Sequence, residues 1–135
     1  MGRPEVILAD THVVVWLAFD QDRISSKAKS AIDGARRNAI PLAISDITLL
    51  ELATLVRKGK VRLHISLELF LQEVESRFVV LPMSAKVCAR AVMLPENYPK
   101  DPADRVIGAT ALVEGLTLVT ADRQIRRSKA VKTVW

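Results

Sequence analysis

Short, unbroken apolar runs alternate along this chain with stretches of helical periodicity. Val6-Ile7-Leu8-Ala9 is apolar throughout and stops at Asp10, the pattern of a strand buried on both faces. A short apolar helix is expected from Val13 to Phe19. Ser25 or Ser26 caps a helix to about Arg37, with Ala28, Ala31, Ile32 and Ala35 facing inward. Pro41 to Ile44 reads as a second strand, ended by Ser45-Asp46. A helix from Asp46 to Lys58 follows, stopped by Gly59, with Arg57 and Lys58 in its last turn. Ser66 caps a helix from Leu67 to about Ser76, and Phe78 to Leu81 is a third strand closed by Pro82. Ser84 caps Ala85 to Leu94. Asp101-Pro102 opens a helix through Glu114, which Gly115 ends. Leu116 to Thr120 is a fourth strand, Ala121 to Ser128 a short basic helix, and Val131 to Trp135 an edge strand.

Strands alternating with helices imply right-handed crossovers. The expected fold is α/β: a three-layer α/β/α domain around a central, mostly parallel sheet of about five strands. Sites in such sheets form beyond the carboxyl ends of the strands. The segments to examine are therefore Asp10-Thr11-His12, Ser45-Asp46 and Thr120-Ala121-Asp122.

Four acids stand out by position. Asp10 ends one strand and Asp122 lies just past another. Asp104 is in the first turn of a helix, three residues from Asp101 and on the same side of it. Glu51 falls on the stripe expected to face inward, with Ile47, Leu50, Thr54 and Leu55. A lone carboxylate there is costly unless it is paired or binds a metal. Each acid also has a plain local role open to it. Asp101, Asp104 and Asp122 suit helix N-termini, Asp10 suits a strand-end turn, and Glu51 could pair with an arginine. If the strands of Asp10 and Asp122 are neighbours, however, the acids converge. Converging carboxylates repel one another, and hard oxygen donors so placed suit Mg²⁺ or Mn²⁺. Such ions support hydrolysis of phosphodiesters.

Composition narrows the alternatives. The chain has 135 residues, 50% of them apolar and 26% charged, which suits one globular domain spanning 1–135 and excludes a disordered or collagenous chain. Lys and Arg total 20 against 15 Asp and Glu, a net charge of +5, which favours a polyanionic partner. Aromatic residues are only 4%, which weakens a base-stacking platform. Cys88 is the single cysteine, so no internal disulfide forms; a reducing, cytoplasmic setting and a small buried role are expected for it. The run from Val6 to Phe19 is interrupted by Asp10 and His12 and is shorter than the roughly 20 residues a membrane span needs. No membrane association is expected. His12, His64 and Cys88 have no zinc spacing, and the five glycines form no phosphate-cradling loop.

Four motifs then resemble one family. Asp10-Thr11-His12 leads to Val15-Trp16. Ser45-Asp46-Ile47 leads to Glu51-Leu52-Ala53 and Arg57-Lys58-Gly59-Lys60. Asp101-Pro102-Ala103-Asp104-Arg105 and Glu114-Gly115-Leu116-Thr117-Leu118-Val119-Thr120-Ala121-Asp122 complete the series. In this order the sequence resembles PIN-domain ribonucleases over essentially its whole length, most closely the VapC-type toxins of bacterial toxin–antitoxin systems. The resemblance implies a PIN-like fold and a Mg²⁺- or Mn²⁺-dependent endoribonuclease, with Asp10, Glu51, Asp104 and Asp122 as the acidic, metal-holding quartet. Thr11, Thr120 and Asp101 would support them. It further implies an RNA substrate, an antitoxin that covers the site, and a homodimer. A PIN nuclease of RNA processing, and a non-catalytic binding module on the same fold, are the competing readings.

Basic residues cluster at Arg36-Arg37, at Arg57 to Arg62 and at Arg123 to Lys129. Arg123, Arg126 and Arg127 follow Asp122 and are candidates for the RNA backbone. Arg105 is another, or it tethers a carboxylate. Val14, Trp16, Leu17, Leu49 and Leu52 are candidates for a partner interface, or simply for core.

Overall fold

Side-chain caps set where the helices begin. In the computed structural model, which describes residues 6–135, seven α-helices alternate with five strands. They are β1 (Ile7–Ala9), α1 (Thr11–Phe19), α2 (Ser26–Arg37), β2 (Ala43–Ser45), α3 (Asp46–Arg57), α4 (Leu67–Arg77), β3 (Val79–Leu81), α5 (Ala85–Val92), α6 (Pro102–Glu114), β4 (Thr117–Val119), α7 (Arg123–Ser128) and β5 (Thr133–Val134). The expectation of one domain over 1–135 starts at residues 1–5, which lie outside the described residues. Each helix has an Asp or Ser at its N-cap that accepts a main-chain N–H: Asp10, Ser25, Ser45, Ser66, Ser84, Asp101 and Asp122.

These caps explain the boundaries that differ from expectation. α1 starts at Thr11, two residues early, because Asp10 caps it. α7 starts at Arg123, two residues late, because Asp122 caps it and Thr120-Ala121 form the turn before. β2 starts at Ala43 rather than Pro41, whose ring nitrogen has no hydrogen to donate to a ladder. The apolar run behind Val6 becomes a strand only from Ile7. One element was not anticipated, a 3₁₀ turn at Gln21–Arg23 that joins α1 to α2.

The strands form one sheet in the order β3-β2-β1-β4-β5, and every pair is parallel. β1 and β4 are neighbours in the register Ala9↔Val119. Asp10 and Thr120 therefore leave the sheet side by side. One face is covered by α1, α2 and α4 through Val13, Val14, Ala28, Ile32, Phe70 and Val74. The other is covered by α6, α7 and the 94–98 loop through Ile107, Ala111, Ile125, Leu94 and Tyr98. This is the three-layer α/β/α arrangement expected.

Burial corrects several side-chain assignments. On α3 the inward residues are Thr48 and Leu52; Leu50 is 63% exposed, and Thr54 also faces out. The stripe is turned so that Glu51 stands at its margin, half-buried, beside Thr48. Val14 and Leu52 are core residues at 2% and 1% exposure, so neither is available to a partner. Trp16, Leu17 and Leu49 are half-buried. Cys88 is exposed on α5, not buried, because Val87 and Ala91 form that helix's inward face.

Tyr98 is fully buried and lies flat across Gly108 of α6, where a Cβ would overlap its hydroxyl. The hydroxyl donates to the Asp104 carbonyl at 3.0 Å and so anchors the first turn of α6. Gly108→Ala is expected to lower stability by ~1–3 kcal/mol, read from urea unfolding midpoints. Tyr98→Phe, which removes the overlapped oxygen, should recover part of that loss in the double variant, a non-additive result.

Candidate active site

The site begins with Asp10, a 4% exposed carboxylate at the end of β1. Its amide donates to Val119 O at 3.0 Å, continuing the ladder with β4 by one residue. Oδ1 accepts the Thr11 amide at 2.9 Å. Oδ2 accepts the Thr120 hydroxyl at 2.8 Å. Thr120, fully buried, in turn accepts the Asp122 amide on the same Oγ1 at 3.1 Å. One hydroxyl thus joins the two strand-end acids. Asp122 accepts the Ile125 amide at 3.0 Å, so capping α7 also fixes its carboxylate at the sheet edge.

Thr11 supports the other side. Its hydroxyl donates to Glu51 Oε1 at 2.5 Å and lies 3.1 Å from the Thr48 hydroxyl. Among the described residues no arginine pairs with Glu51; the Thr11 hydroxyl, itself next to that of Thr48, holds it. Its pKa is raised, first by burial and then by Asp10 and Asp101, with the Thr11 hydrogen bond acting in the opposite direction. Asp104, in the first turn of α6, is pushed up to about 7 by burial and by the negative charges of Asp10, Asp101, Glu51 and Asp122. Asp104 thus feels all four other acids, which places the five in one electrostatic neighbourhood. Asp101 itself is exposed and caps α6 through the Ala103 amide at 2.8 Å.

Two residues here were missed or set aside in the sequence. Thr48 is invisible as a site residue without the fold, although its place one turn before Leu52 marks it as inward. His12 has no zinc partner, yet its Nε2 accepts the Ala121 amide at 2.9 Å and its Nδ1 lies 3.7 Å from Asp10 Oδ2. Desolvation lowers its pKa against the opposing pull of Asp10 and Asp122.

The basic candidates separate. Arg105 points at neither a carboxylate nor the site edge. Its guanidinium donates to the carbonyls of Ala91, Leu94, Pro95 and Tyr98, at 3.1–3.5 Å, and closes the end of α5 and the following loop. That use of its donors makes it a structural clamp on the end of α5. Arg123, Arg126 and Arg127 join Lys129 around an open concavity of about 500 Å³ beside α7. A larger concavity, about 580 Å³, lies elsewhere and is mostly apolar. It is lined by Leu17, Phe19, Ile40, Leu63, Phe70 and Phe78, with Arg36 and Arg77 also on its wall. Glu73 is the one acid on its wall, and none of Asp10, Glu51, Asp101, Asp104 and Asp122 lines it.

Among the described residues, no three carboxylate, imidazole or thiol groups stand close enough together to close round an ion. The donor set itself suits a hard divalent cation. Asp10, Glu51, Asp104 and Asp122 offer only oxygens, and the repulsion that adds to burial in lifting Asp104 is what a cation between them would relieve.

A parallel α/β/α domain with carboxylates gathered where its central strands end defines the structural class. The PIN-domain family model matches residues 7–130, and the chain belongs to the PIN-domain family. It is 37% identical to Ribonuclease VapC22 of Mycobacterium tuberculosis over 131 residues, 96% of this chain and 98% of that protein. Among solved structures it resembles VapBC2 from Rickettsia felis, crystallised with a fragment of promoter DNA, at a TM-score of 0.71 and 20% identity, covering 95% of this chain and 96% of that one. A toxin–antitoxin complex from Klebsiella pneumoniae is similar at a TM-score of 0.58 and 26% identity, over 86% of each chain.

The raised Asp104 pKa has a definite sign for stability. Between its ordinary value of 3.8 and about 7, the folded chain holds a proton that the unfolded chain has released. Folding stability from this group therefore falls as pH rises through that window. In chelator-treated protein, Asp104→Asn should raise the urea midpoint, and the gain should be larger at about pH 8 than at about pH 5. Equal gains at both would show that Asp104 titrates normally.

Proposed function

We propose that this chain is a divalent-metal-dependent endoribonuclease, a VapC-type toxin kept inactive by a cognate antitoxin in the cytoplasm. What carries the reading is that Asp10, Glu51 and Asp122 all act on Asp104, whose pKa is raised first by burial and then by these charges together with Asp101. The likeness to Ribonuclease VapC22 supports the RNA-cleaving chemistry, and the likeness to toxin–antitoxin complexes supports the antitoxin. One PIN domain over residues 1–135 carries the activity.

Asp10, Glu51, Asp104 and Asp122 would hold Mg²⁺ or Mn²⁺. When bound, such an ion supplies water activation and offsets charge on the leaving oxygen. The remaining work falls to the chain. Thr120 holds Asp10 and the Asp122 turn together, and Thr11 aims Glu51 at the same space. Asp101 caps α6, fixing the turn that carries Asp104, and adds to the negative potential there. Arg123, Arg126 and Arg127 offer a positive ledge to the RNA backbone next to Asp122. The apolar concavity beside α1 and α4 is the surface left for an antitoxin segment. The exposed side chains of Leu50, Val92 and Met93 suit burial in a homodimer.

Asp10→Asn should abolish Mg²⁺-dependent cleavage of single-stranded RNA while leaving the circular dichroism spectrum and melting curve of a folded protein. Undiminished cleavage by a purified, folded Asp10→Asn protein overturns the assignment. Replacing Arg123, Arg126 and Arg127 by Gln together should make the slope of log affinity against log salt shallower by about 2, at roughly 0.7 per single-strand phosphate contact. An unchanged slope would place the RNA backbone elsewhere.

A further inference from the structure

The turn Thr120-Ala121-Asp122 carries one of the four acids, and each of its three main-chain N–H groups is held differently. The Thr120 amide donates to Val134 O at 3.3 Å, continuing the ladder with β5. The Asp122 amide donates to the Thr120 hydroxyl within the turn. The Ala121 amide donates to Nε2 of His12, across 109 positions of sequence, at 2.9 Å. A main-chain N–H can only donate, so Nε2 presents its lone pair and the ring proton sits on Nδ1, the nitrogen facing Asp10 Oδ2 at 3.7 Å.

The ring is also held from behind. Trp16, one helical turn further along α1, lies 4.9 Å from it between centroids, and Trp135 lies 6.4 Å away edge-on. Trp16 and Trp135 touch each other at 5.6 Å, and the Arg23 guanidinium covers Trp16 at 4.6 Å. Both tryptophans of the chain therefore stand behind one imidazole. That imidazole contacts the turn between Thr120 and Asp122. This aromatic stack serves as a wall for a side chain rather than as a platform for bases.

We propose that His12 is a positioning residue of the nuclease site: as a hydrogen-bond acceptor braced by Trp16 and Trp135, it holds the Ala121 amide and thereby sets where Asp122 stands relative to Asp10. The proposal rests on the nuclease reading for its kinetic consequence, but the tether itself does not. Partners that orient such ligands from outside carry a rate effect without binding substrate. Among the described side chains, Thr120 is the other link from Asp10 to this turn, through one hydroxyl that can rotate. A second link, to the amide between them, removes that freedom.

The test uses the full chain and two substitutions. His12→Ala deletes the acceptor; His12→Gln can return an oxygen to the Nε2 position. With a fixed single-stranded RNA and Mg²⁺, His12→Ala should lower kcat by about 10- to 100-fold with a much smaller change in KM, and His12→Gln should recover most of the loss. Hydrogen exchange followed by NMR, without metal or RNA, should show the Ala121 amide losing protection in His12→Ala and regaining it in His12→Gln, with β1 and α3 unchanged. Unchanged Ala121 exchange in His12→Ala overturns the tether. Unchanged kcat in His12→Ala, or His12→Gln as slow as His12→Ala despite restored protection, overturns the positioning role. If the wild-type chain cleaves no RNA, the nuclease reading fails instead, and the exchange experiment alone decides whether His12 holds the turn.

Discussion

One buried hydrogen bond holds the site together: the Thr120 hydroxyl to the Asp10 carboxylate, across 110 positions of sequence. It exists because β1 and β4 are adjacent and parallel, in a register that brings both chains off the sheet at the same level. It also offsets a cost. A carboxylate at 4% exposure needs donors, and Asp10 finds them in Thr120 and the Thr11 amide. Glu51, Asp104 and Asp122 are then brought towards a charge that cannot move away. Their mutual repulsion is built into the fold, and at Asp104 it adds to burial in raising the pKa.

The caps explain how such a cluster can form in a small domain. Asp10, Asp101 and Asp122 each satisfy a helix N-terminus while adding their charge to the surroundings of Asp104. A local stabilising role and a site role are not alternatives for these residues. The helix N-terminus provides the donors that hold the carboxylate, and its partial positive charge lowers the cost of gathering acids. Three of the five acids are thus placed by elements that need them anyway. Glu51 is different: it caps nothing, and its position depends on threonines at 11 and 48 drawn from two helices.

Much of the fold was legible in the chain. The apolar runs marked the strands, the Ser and Asp residues ahead of helical patterns marked the caps, and the strand-end acids marked the sheet edge where Asp10 and Thr120 meet. Where the reading erred, the cause was packing. The inward stripe of α3 could not be phased from Ile47 and Leu55 alone, because Leu50 faces out and Thr48 faces in. Arg105 looked like a partner for acid or RNA, but four carbonyls at the end of α5 and its loop take its donors. Cys88 lay beside apolar neighbours in sequence, yet α5 turns it outward.

The sequence by itself determined the element order, the parallel α/β/α class and which acids stand at strand ends and helix starts. Those depend on local periodicity, capping chemistry and strand-end position, which act within a few residues. Only the tertiary structure decided which strands are neighbours and hence that Thr120 meets Asp10, that Thr48 and Thr11 hold Glu51, and that His12 reaches Ala121. These contacts join residues 37 to 110 positions apart. No local pattern encodes them, because each is set by the order and register of the sheet.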